Sequence, residues 1–281
     1  MLERAMPRGA PATRPNDPLP RHDSGDLDSP DRLQWFRDHF DRSPREIIAF
    51  LEGDGITLTG RDVADVGCGE GIMDLGLTLR TKPRRFVGFD IVPTDRDDLL
   101  RRARHYKAAK ELPTTLEFAV SQPTRIPASD ASFDVVISWS AFEHVAQPDQ
   151  LLREIRRILR PGGLLMLQLW PFFYSEHGSH LWHWFPDGFV NLHRGLEEVE
   201  ATLREDTETD PAWIETKLRD YRELNGMSLD GLQRAILGAG MYVTKLELLS
   251  HPIHLTPELN RWPLSDLAIA GVKLLANPQP A

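Results

Sequence analysis

The chain has 281 residues, of which 41% are hydrophobic and 27% are charged, so it is long enough to bury a sizeable core. Acidic side chains outnumber basic ones by 42 to 33, for a formal net charge of −9. This balance argues against general binding to nucleic acids or anionic membranes, which needs a basic face. The single cysteine, Cys68, excludes an internal disulfide and a cysteine-rich zinc module. With no apolar run near the roughly 20 residues of a membrane span, we expect a cytoplasmic protein.

The first 30 residues contain six prolines and too little apolar surface to offset the entropy of ordering. This composition predicts a flexible tail over residues 1–30, although a tail that folds over a ligand would have the same composition. Residues 31–281 are predicted to form one domain. Its first elements are two short helices over 33–40 and 47–51, with Ser43 as the N-cap of the second and Pro44 at its first position.

Short apolar strands and helical segments then alternate along the chain. Strands are predicted over 63–66, 86–89, 116–120, 133–139 and 164–169, with intervening helices over 71–80, 93–112 and 151–159, the last one closed by Pro161-Gly162-Gly163. This alternation is typical of a parallel sheet covered on both faces. The predicted fold class is therefore α/β, a Rossmann-like doubly wound sheet.

The end of the chain has a different pattern. Residues 171–193 are aromatic and rich in histidine, and residues 196–224 are polar and predicted to be helical. One more helix is predicted over 229–237, followed by two strand-like runs over 241–249 and 267–275. The two runs bring the sheet to seven strands. Because long connections at the carboxyl edge of such sheets commonly form lids or binding loops, residues 171–226 are predicted to be an acceptor-binding lid between strands 5 and 6.

A glycine-rich turn joins the first strand to its helix. Gly67, Gly69 and Gly71 lie there, and Asp90 ends the second strand, where a carboxylate can accept hydrogen bonds from two ribose hydroxyls. The dinucleotide pattern Gly-x-Gly-x-x-Gly is not met, because Ile72 occupies its third glycine position. The acidic Asp65 beside the turn disfavours a pyrophosphate and suits a ligand that carries an ammonium and a sulfonium.

Several motifs in order resemble those of the class I S-adenosylmethionine-dependent methyltransferases. They are Val63–Gly71, Gly88–Ile91, Phe133–Val136, Glu143–Val145 and Leu159–Gly163. The resemblance spans about residues 60–170 and implies S-adenosylmethionine as the cofactor. The resemblance also implies which residues contact the cofactor. Asp65, Gly67, Gly69 and the backbone of Cys68 would hold the methionine part, and Asp90 would hold the ribose. Ile91 and Gln122 would contact the adenine, and Ser138 and Trp139 would line the methyl-transfer face.

Two groups of residues are candidates for the chemistry near the methyl group. His144 follows strand 4 and is the first candidate for a general base, since imidazole titrates near neutral pH; the alternative is a structural histidine bonded to backbone. Four of the ten histidines lie within 177–193, and His180 is the second catalytic candidate. The alternative for this segment is a loop that packs its aromatic rings on the core.

A metal site is a further hypothesis. Some metal-dependent O-methyltransferases that this chain resembles carry Glu-x-x-Glu-His after strand 4, and here Ser140 stands in place of the first glutamate. Glu143, His144 and one of His177 or His180 could still hold a divalent ion such as Mg²⁺ that polarises an acceptor oxygen.

The function expected from these features is methyl transfer to a small-molecule acceptor, to a hydroxyl of a sugar or secondary metabolite. One alternative is a nicotinamide-dependent oxidoreductase on the same fold, and another is a non-catalytic homologue that binds the cofactor. Neither nucleic acid nor membrane is expected as a partner, and the sequence does not fix the oligomeric state.

Overall fold

The computed structural model describes residues 27–279, so positions 1–26 of the predicted tail lie outside the described residues. The chain enters through α1 (Pro30–Arg37), a π-helical turn (Asp38–Arg42) and α2 (Ser43–Glu52). The predicted N-cap at Ser43 is wrong, because this residue is helical (φ −59°, ψ −45°) and buried. The wider π turn just before Pro44 accommodates a residue that has no backbone N–H, so the helix continues through Ser43.

Seven strands form one sheet, as predicted. In chain order they are β1 (Asp62–Val66), β2 (Arg85–Asp90), β3 (Leu116–Val120), β4 (Phe133–Trp139), β5 (Leu159–Leu169), β6 (Met241–Leu249) and β7 (Gly271–Pro278). Their order across the sheet is β3-β2-β1-β4-β5-β7-β6. β7 is antiparallel to both of its neighbours and the other pairs are parallel, so the carboxyl ends of β1 to β6 share one edge.

Eight further helices connect the strands. They are α3 (Ile72–Thr81), α4 (Arg96–His105), α5 (Pro148–Ile158), α6 (Val190–His193), α7 (Leu196–Glu205), α8 (Pro211–Arg222), α9 (Leu229–Gly238) and α10 (Leu264–Ala268). Short 3-10 turns lie at Phe142–His144 and Pro257–Arg261. No helix within residues 27–279 is both long and apolar enough to cross a bilayer.

Three predicted elements have wrong boundaries for local reasons. The helix expected from Pro93 starts at Arg96, because Asp95 caps it by accepting hydrogen bonds from two backbone N–H groups, and it ends at His105 rather than near residue 112. β5 begins at Leu159, so Pro161-Gly162-Gly163 lies within its irregular start instead of closing the helix before it. The last strand begins at Gly271, since Leu264–Ala268 is helical.

Each face of the sheet is covered by its own hydrophobic core. On one face α5 packs with Leu151, Leu152, Ile155 and Ile158, next to α9. On the other face α2, α3 and α4 cover Val63, Phe86 and Val135. At about 25 cal/mol per Å² of apolar surface, burial on both faces fixes the strands firmly. The strand ends and the loops after them can then position a site.

Candidate functional site

The glycine turn after β1 leaves one open backbone surface. Gly67, Gly69 and Gly71 all have positive φ, at +89°, +53° and +73°, which glycine adopts without steric cost. A Cβ at Gly67 would lie 2.4 Å from the Cβ of Ala141, whereas a Cβ at Gly69 would meet nothing within 4 Å. The middle glycine is therefore the place where a ligand can approach the backbone closely.

Asp90 braces this turn from the end of β2. Its Oδ2 accepts a hydrogen bond from the Gly69 backbone N–H at 2.8 Å, and its Oδ1 accepts one from the N–H of Val92 at 2.9 Å. A carboxylate has about four acceptor sites, so each oxygen can still accept from a hydroxyl. The expected ribose contact is thus compatible with the role of Asp90 in holding the turn.

Two residues expected near the adenine lie at the same rim. Ile91 follows Asp90 directly and is 59% exposed, so it offers an apolar face to a ring. Gln122 is exposed just after β3, where its backbone exchanges hydrogen bonds of 3.0 and 3.2 Å with Arg125. Both positions allow the predicted contacts.

Asp65 lies beneath the turn and faces Asp74 of α3. Both side chains are fully buried, and neither forms an ion pair with any of residues 27–279. Burial raises the pKa of Asp65 to about 7, and burial together with the neighbouring Asp65 carboxyl raises that of Asp74 well above its usual range. Asp65 therefore lies below the turn, and its side chain does not reach the surface of the crevice.

Two further predicted cofactor residues are engaged inside the protein. The thiol of Cys68 is buried 3.6 Å from the hydroxyl of Thr94, and burial raises its pKa. This leaves Cys68 the backbone role expected of it. The hydroxyl of Ser138 donates to the backbone oxygen of Val66 at 2.7 Å, and its side chain is fully buried. This bond ties β4 to β1 and does not favour the expected contact between Ser138 and the cofactor.

The 3-10 turn after β4 brings Glu143 and His144 together with His180. The rings of the two histidines lie 5.2 Å apart, and one ligand atom from each of the three residues lies within 4.8 Å of the others. Burial raises the pKa of Glu143 to about 8. Burial, together with the nearby His144 and Lys217, lowers the pKa of His180 well below its usual value. Burial therefore favours the neutral forms of both Glu143 and His180.

Polar atoms of Glu143 and His180 are available to a group from outside the protein. Glu143 is 3% and His180 is 5% exposed. Oε2 of Glu143 and both ring nitrogens of His180 have no hydrogen-bond partner in the part of the chain that the structure describes. Since buried polar atoms are rarely left unsatisfied, they fit either an acceptor hydroxyl or a divalent ion.

Asn225, which follows α8, holds the Glu143 turn in place. Its Nδ2 donates to the backbone oxygens of Phe142 and Val145 at 2.6 and 2.9 Å. Its backbone N–H donates to the backbone oxygen of Glu143 at 3.0 Å. This residue is not among those predicted from the sequence. An asparagine after a helix is common in turns, so a single sequence gives no signal for such a long-range contact.

Ser140, which stands in place of the first glutamate of Glu-x-x-Glu-His, has a structural contact in this protein. Its backbone N–H and its hydroxyl both donate to Oε1 of Gln168 on β5, at 2.9 and 2.7 Å. The position of the missing acid therefore carries a contact between β4 and β5.

His177 does not join the Glu143 cluster. It lies with Glu176 and His251 instead, its Nε2 being 3.7 Å from Oε2 of Glu176. The ring of Trp182 lies 5.6 Å from that of His177 and 6.2 Å from that of His180. Of the two histidines that the metal hypothesis left open, the structure brings only His180 to Glu143.

The segment after β5 has a small core of its own, formed by Leu181, Phe185, Val190, Val199, Leu203, Ile214 and Leu218. A cavity of about 260 Å³ lies beside it, lined by residues 184–189, 193–194, 254, 256 and 259. None of Asp90, Glu143 and His144 lines this cavity, so it is separate from the candidate site.

Comparison with known proteins identifies the domain. Residues 64–167 match the family model described as a methyltransferase domain. A demethylmenaquinone methyltransferase of Deinococcus radiodurans is 37% identical over 111 residues, which are 40% of this chain and 44% of the relative. A ubiquinone biosynthesis O-methyltransferase of Cereibacter sphaeroides is 27% identical over 179 residues, 56% of this chain and 66% of the relative.

The chain thus spans less than two thirds of the length of these curated relatives. Among solved structures, geranyl diphosphate C-methyltransferase from Streptomyces coelicolor has the same fold, with a TM-score of 0.53 and 14% identity over 90% of this chain and 86% of that one. The matched segment contains the glycine turn, Asp90 and the Glu143 turn. Residues 64–167 therefore form a methyltransferase domain, which confirms the resemblance to the class I S-adenosylmethionine-dependent methyltransferases.

Proposed function

We propose that the chain transfers a methyl group from S-adenosylmethionine to a hydroxyl of a small-molecule acceptor, such as a sugar or a secondary metabolite. The observation that carries this proposal is the cluster of Glu143, His144 and His180 at the same sheet edge as the glycine turn. In this cluster Glu143 and His180 have buried polar atoms without partners among residues 27–279. Relatives named for quinone methylation support a small-molecule acceptor. The acceptor would lie between the strand ends and the segment 171–226, which acts as the lid.

The chain's own residues fit the cofactor. When bound, S-adenosylmethionine supplies a methyl group on a positively charged sulfonium. Asp90 would accept hydrogen bonds from the ribose hydroxyls, and the open surface at Gly69 would admit the ligand next to the backbone. The carboxylate of Asp90, and that of Asp65 when it is ionised, would favour a cationic ligand over a pyrophosphate. The main contribution of the protein is to align the methyl group with the acceptor, because the sulfonium is already activated.

His144 would take the proton of the acceptor hydroxyl. It is half-buried beside His180, whose lowered pKa makes it a weak base. The ring nitrogens of His180 have no partner among residues 27–279, so they would be able to bond to the acceptor. As the bond between the acceptor oxygen and the methyl carbon forms, the bond between that carbon and sulfur breaks and leaves a neutral thioether. The proton on His144 then passes to water.

The same three side chains also fit a divalent ion, since they offer one carboxylate oxygen and two ring nitrogens within 4.8 Å. A bound ion would polarise the acceptor oxygen. Two imidazoles in the set favour a transition ion over Mg²⁺. Methyl transfer that is unchanged after exhaustive chelation would exclude this metal assistance.

Calorimetric titration followed by an acceptor screen tests the proposal. We expect S-adenosylhomocysteine to bind and NAD not to bind, and we expect hydroxylated small molecules to release S-adenosylhomocysteine from S-adenosylmethionine. Binding of NAD without S-adenosylhomocysteine would support the oxidoreductase alternative. Cofactor binding with no transfer to any acceptor would support the non-catalytic one.

A further inference from the structure

A second cluster of metal-ligating side chains lies apart from the Glu143 cluster. Nε2 of His251 is 2.7 Å from Oε2 of Glu176, and Nε2 of His177 is 3.7 Å from the same oxygen. The two imidazole rings are stacked, with centroids 5.4 Å apart and planes 24° from parallel. We call Glu176, His177 and His251 the second triad.

The second triad joins two segments that are far apart in sequence. Glu176 and His177 follow β5, and His251 follows β6. Both strands end at the same edge of the sheet, so the triad spans the gap between the loops after them. The backbone under Glu176 is fixed, because its carbonyl oxygen accepts from the N–H of Phe189 at 2.8 Å and a Cβ at Gly188 would lie 2.4 Å from its Cγ.

An ion pair between Glu176 and His251 explains only part of this geometry. It needs no third partner, yet His177 directs a second nitrogen at the same carboxylate oxygen. Donor atoms about 2.0–2.2 Å from one zinc ion in tetrahedral geometry lie roughly 3.3 Å apart. The two separations from Glu176, 2.7 and 3.7 Å, lie on either side of that value, and one donor atom from each of the three residues lies within 4.8 Å of the others. Small side-chain rotations would therefore bring all three onto one ion.

Exposure and donor chemistry indicate the kind of ion. The side chains of Glu176, His177 and His251 are 22%, 12% and 28% exposed, so solvent can reach the triad and supply the remaining ligands. Two imidazole nitrogens with one carboxylate oxygen suit Zn²⁺ and related first-row ions, whereas Mg²⁺ and Ca²⁺ prefer oxygen ligands.

We propose that Glu176, His177 and His251 bind a first-row transition ion such as Zn²⁺, which fastens the segment after β5 to the segment after β6. The ion would stabilise the part of the chain that carries His180, three residues beyond His177. This site is independent of the proposed methyl transfer, because it contains none of the residues assigned to cofactor or acceptor.

The test is Zn²⁺ titration by calorimetry on the full chain after removal of metal, with Co²⁺ absorption spectra as a second readout. Because the Glu143 cluster offers the same donor types, the titrations are made in a Glu143→Gln, His180→Ala background. We expect one bound equivalent in that background, and at least a tenfold loss of affinity after His251→Ala or after the nearly isosteric Glu176→Gln. His254→Ala, which alters an exposed histidine three residues further on, is the matched control and is expected to bind as the background does.

Thermal unfolding gives an independent readout. Zn²⁺ should raise the melting temperature of the background protein and of His254→Ala, but not that of the two triad variants, because only an ion that binds the folded state stabilises it. No bound equivalent, or equal affinity with and without His251 and Glu176, would overturn the proposal. S-adenosylhomocysteine titration of the same proteins keeps this result separate from the proposed function, since we expect its affinity to be unchanged in all triad variants.

Discussion

The backbone N–H of Gly69 donates to Oδ2 of Asp90 at 2.8 Å, and this bond joins the turn after β1 to the end of β2. One carboxylate therefore does two things, since it fixes the turn and keeps acceptor sites for a ligand. The shape of the glycine turn and the affinity for a ribose should depend on the same side chain.

Asp90→Ala should weaken cofactor binding at least tenfold. The variant removes the acceptor for Gly69 and for the ribose hydroxyls together, and charge-assisted hydrogen bonds are the stronger kind. Titration calorimetry with S-adenosylhomocysteine measures the effect. Asp97→Ala, at an exposed position on α4, is the control. Wild-type affinity in Asp90→Ala would show that the ribose lies elsewhere.

Gly69→Ala and Gly67→Ala should differ in what they damage. Both positions have positive φ, so alanine costs about 1–2 kcal/mol at either one. At Gly69 the new methyl group enters open space, where it would obstruct the ligand, so cofactor affinity should fall while the fold persists. At Gly67 the methyl group would collide with Ala141, so the melting temperature should fall further. Thermal unfolding and calorimetry on both variants separate the two effects, and equal losses of stability would contradict this assignment of the open surface.

The sheet and the glycine turn could be predicted because their signals are local. Short apolar strands alternate with helices, and Gly67, Gly69 and Asp90 lie at strand ends where the fold dictates their place. The errors in element boundaries arose where a side chain or a backbone turn decided the end of an element. Asp95 caps α4, and the π turn before Pro44 carries the helix past Ser43.

The choice between His177 and His180 as the partner of Glu143 could not be predicted because both come from a distant part of the chain. The sequence left His177 and His180 equivalent as partners of Glu143. The structure separates them through the turn that holds Glu176, which directs His177 towards His251. The contacts from Asn225 to the Glu143 turn span about 80 residues, and periodicity carries no information about such pairs.

His144→Ala should lower turnover by about 10² to 10⁴ while cofactor affinity is retained, because a positioned general base contributes about that much. The pH profile of the remaining activity should lose the limb that reports the base. His180→Ala is the comparison, and it should reduce turnover without removing that limb, since its lowered pKa makes it a poor base. Steady-state rates between about pH 5.5 and 9 supply the test, because they bracket the titration of an imidazole. Near-normal turnover in His144→Ala would assign the base to another residue.

Asn225→Ala should reduce turnover without affecting cofactor binding. The loss leaves two backbone oxygens, those of Phe142 and Val145, without their donor, at a cost of about 1–3 kcal/mol for each buried unsatisfied group. The Glu143 turn would then shift relative to His180. Asn260→Ala is the matched control, because that amide also donates to two backbone oxygens but is exposed. An unchanged rate in Asn225→Ala would show that the turn holds itself.

Asp74→Asn should change how stability depends on pH. Because the pKa of Asp65 is raised to about 7 and that of Asp74 is raised well above its usual range, the folded chain keeps protons that the unfolded chain releases near pH 4. The corresponding stability is fully present below about pH 4 and is lost as the pH rises through about 7, at about 1.4 kcal/mol per pH unit for each proton that the folded chain retains. The variant removes one of the two acids, and its amide can donate to the ionised Asp65. The melting temperature of the variant should therefore rise relative to that of the wild type as the pH increases from about 5 to about 8, the window in which the unfolded chain has released these protons. For Asp97→Asn the difference in melting temperature from the wild type should stay constant over the same range. A constant difference for Asp74→Asn across this range would mean that the two carboxyls do not share a proton-dependent environment.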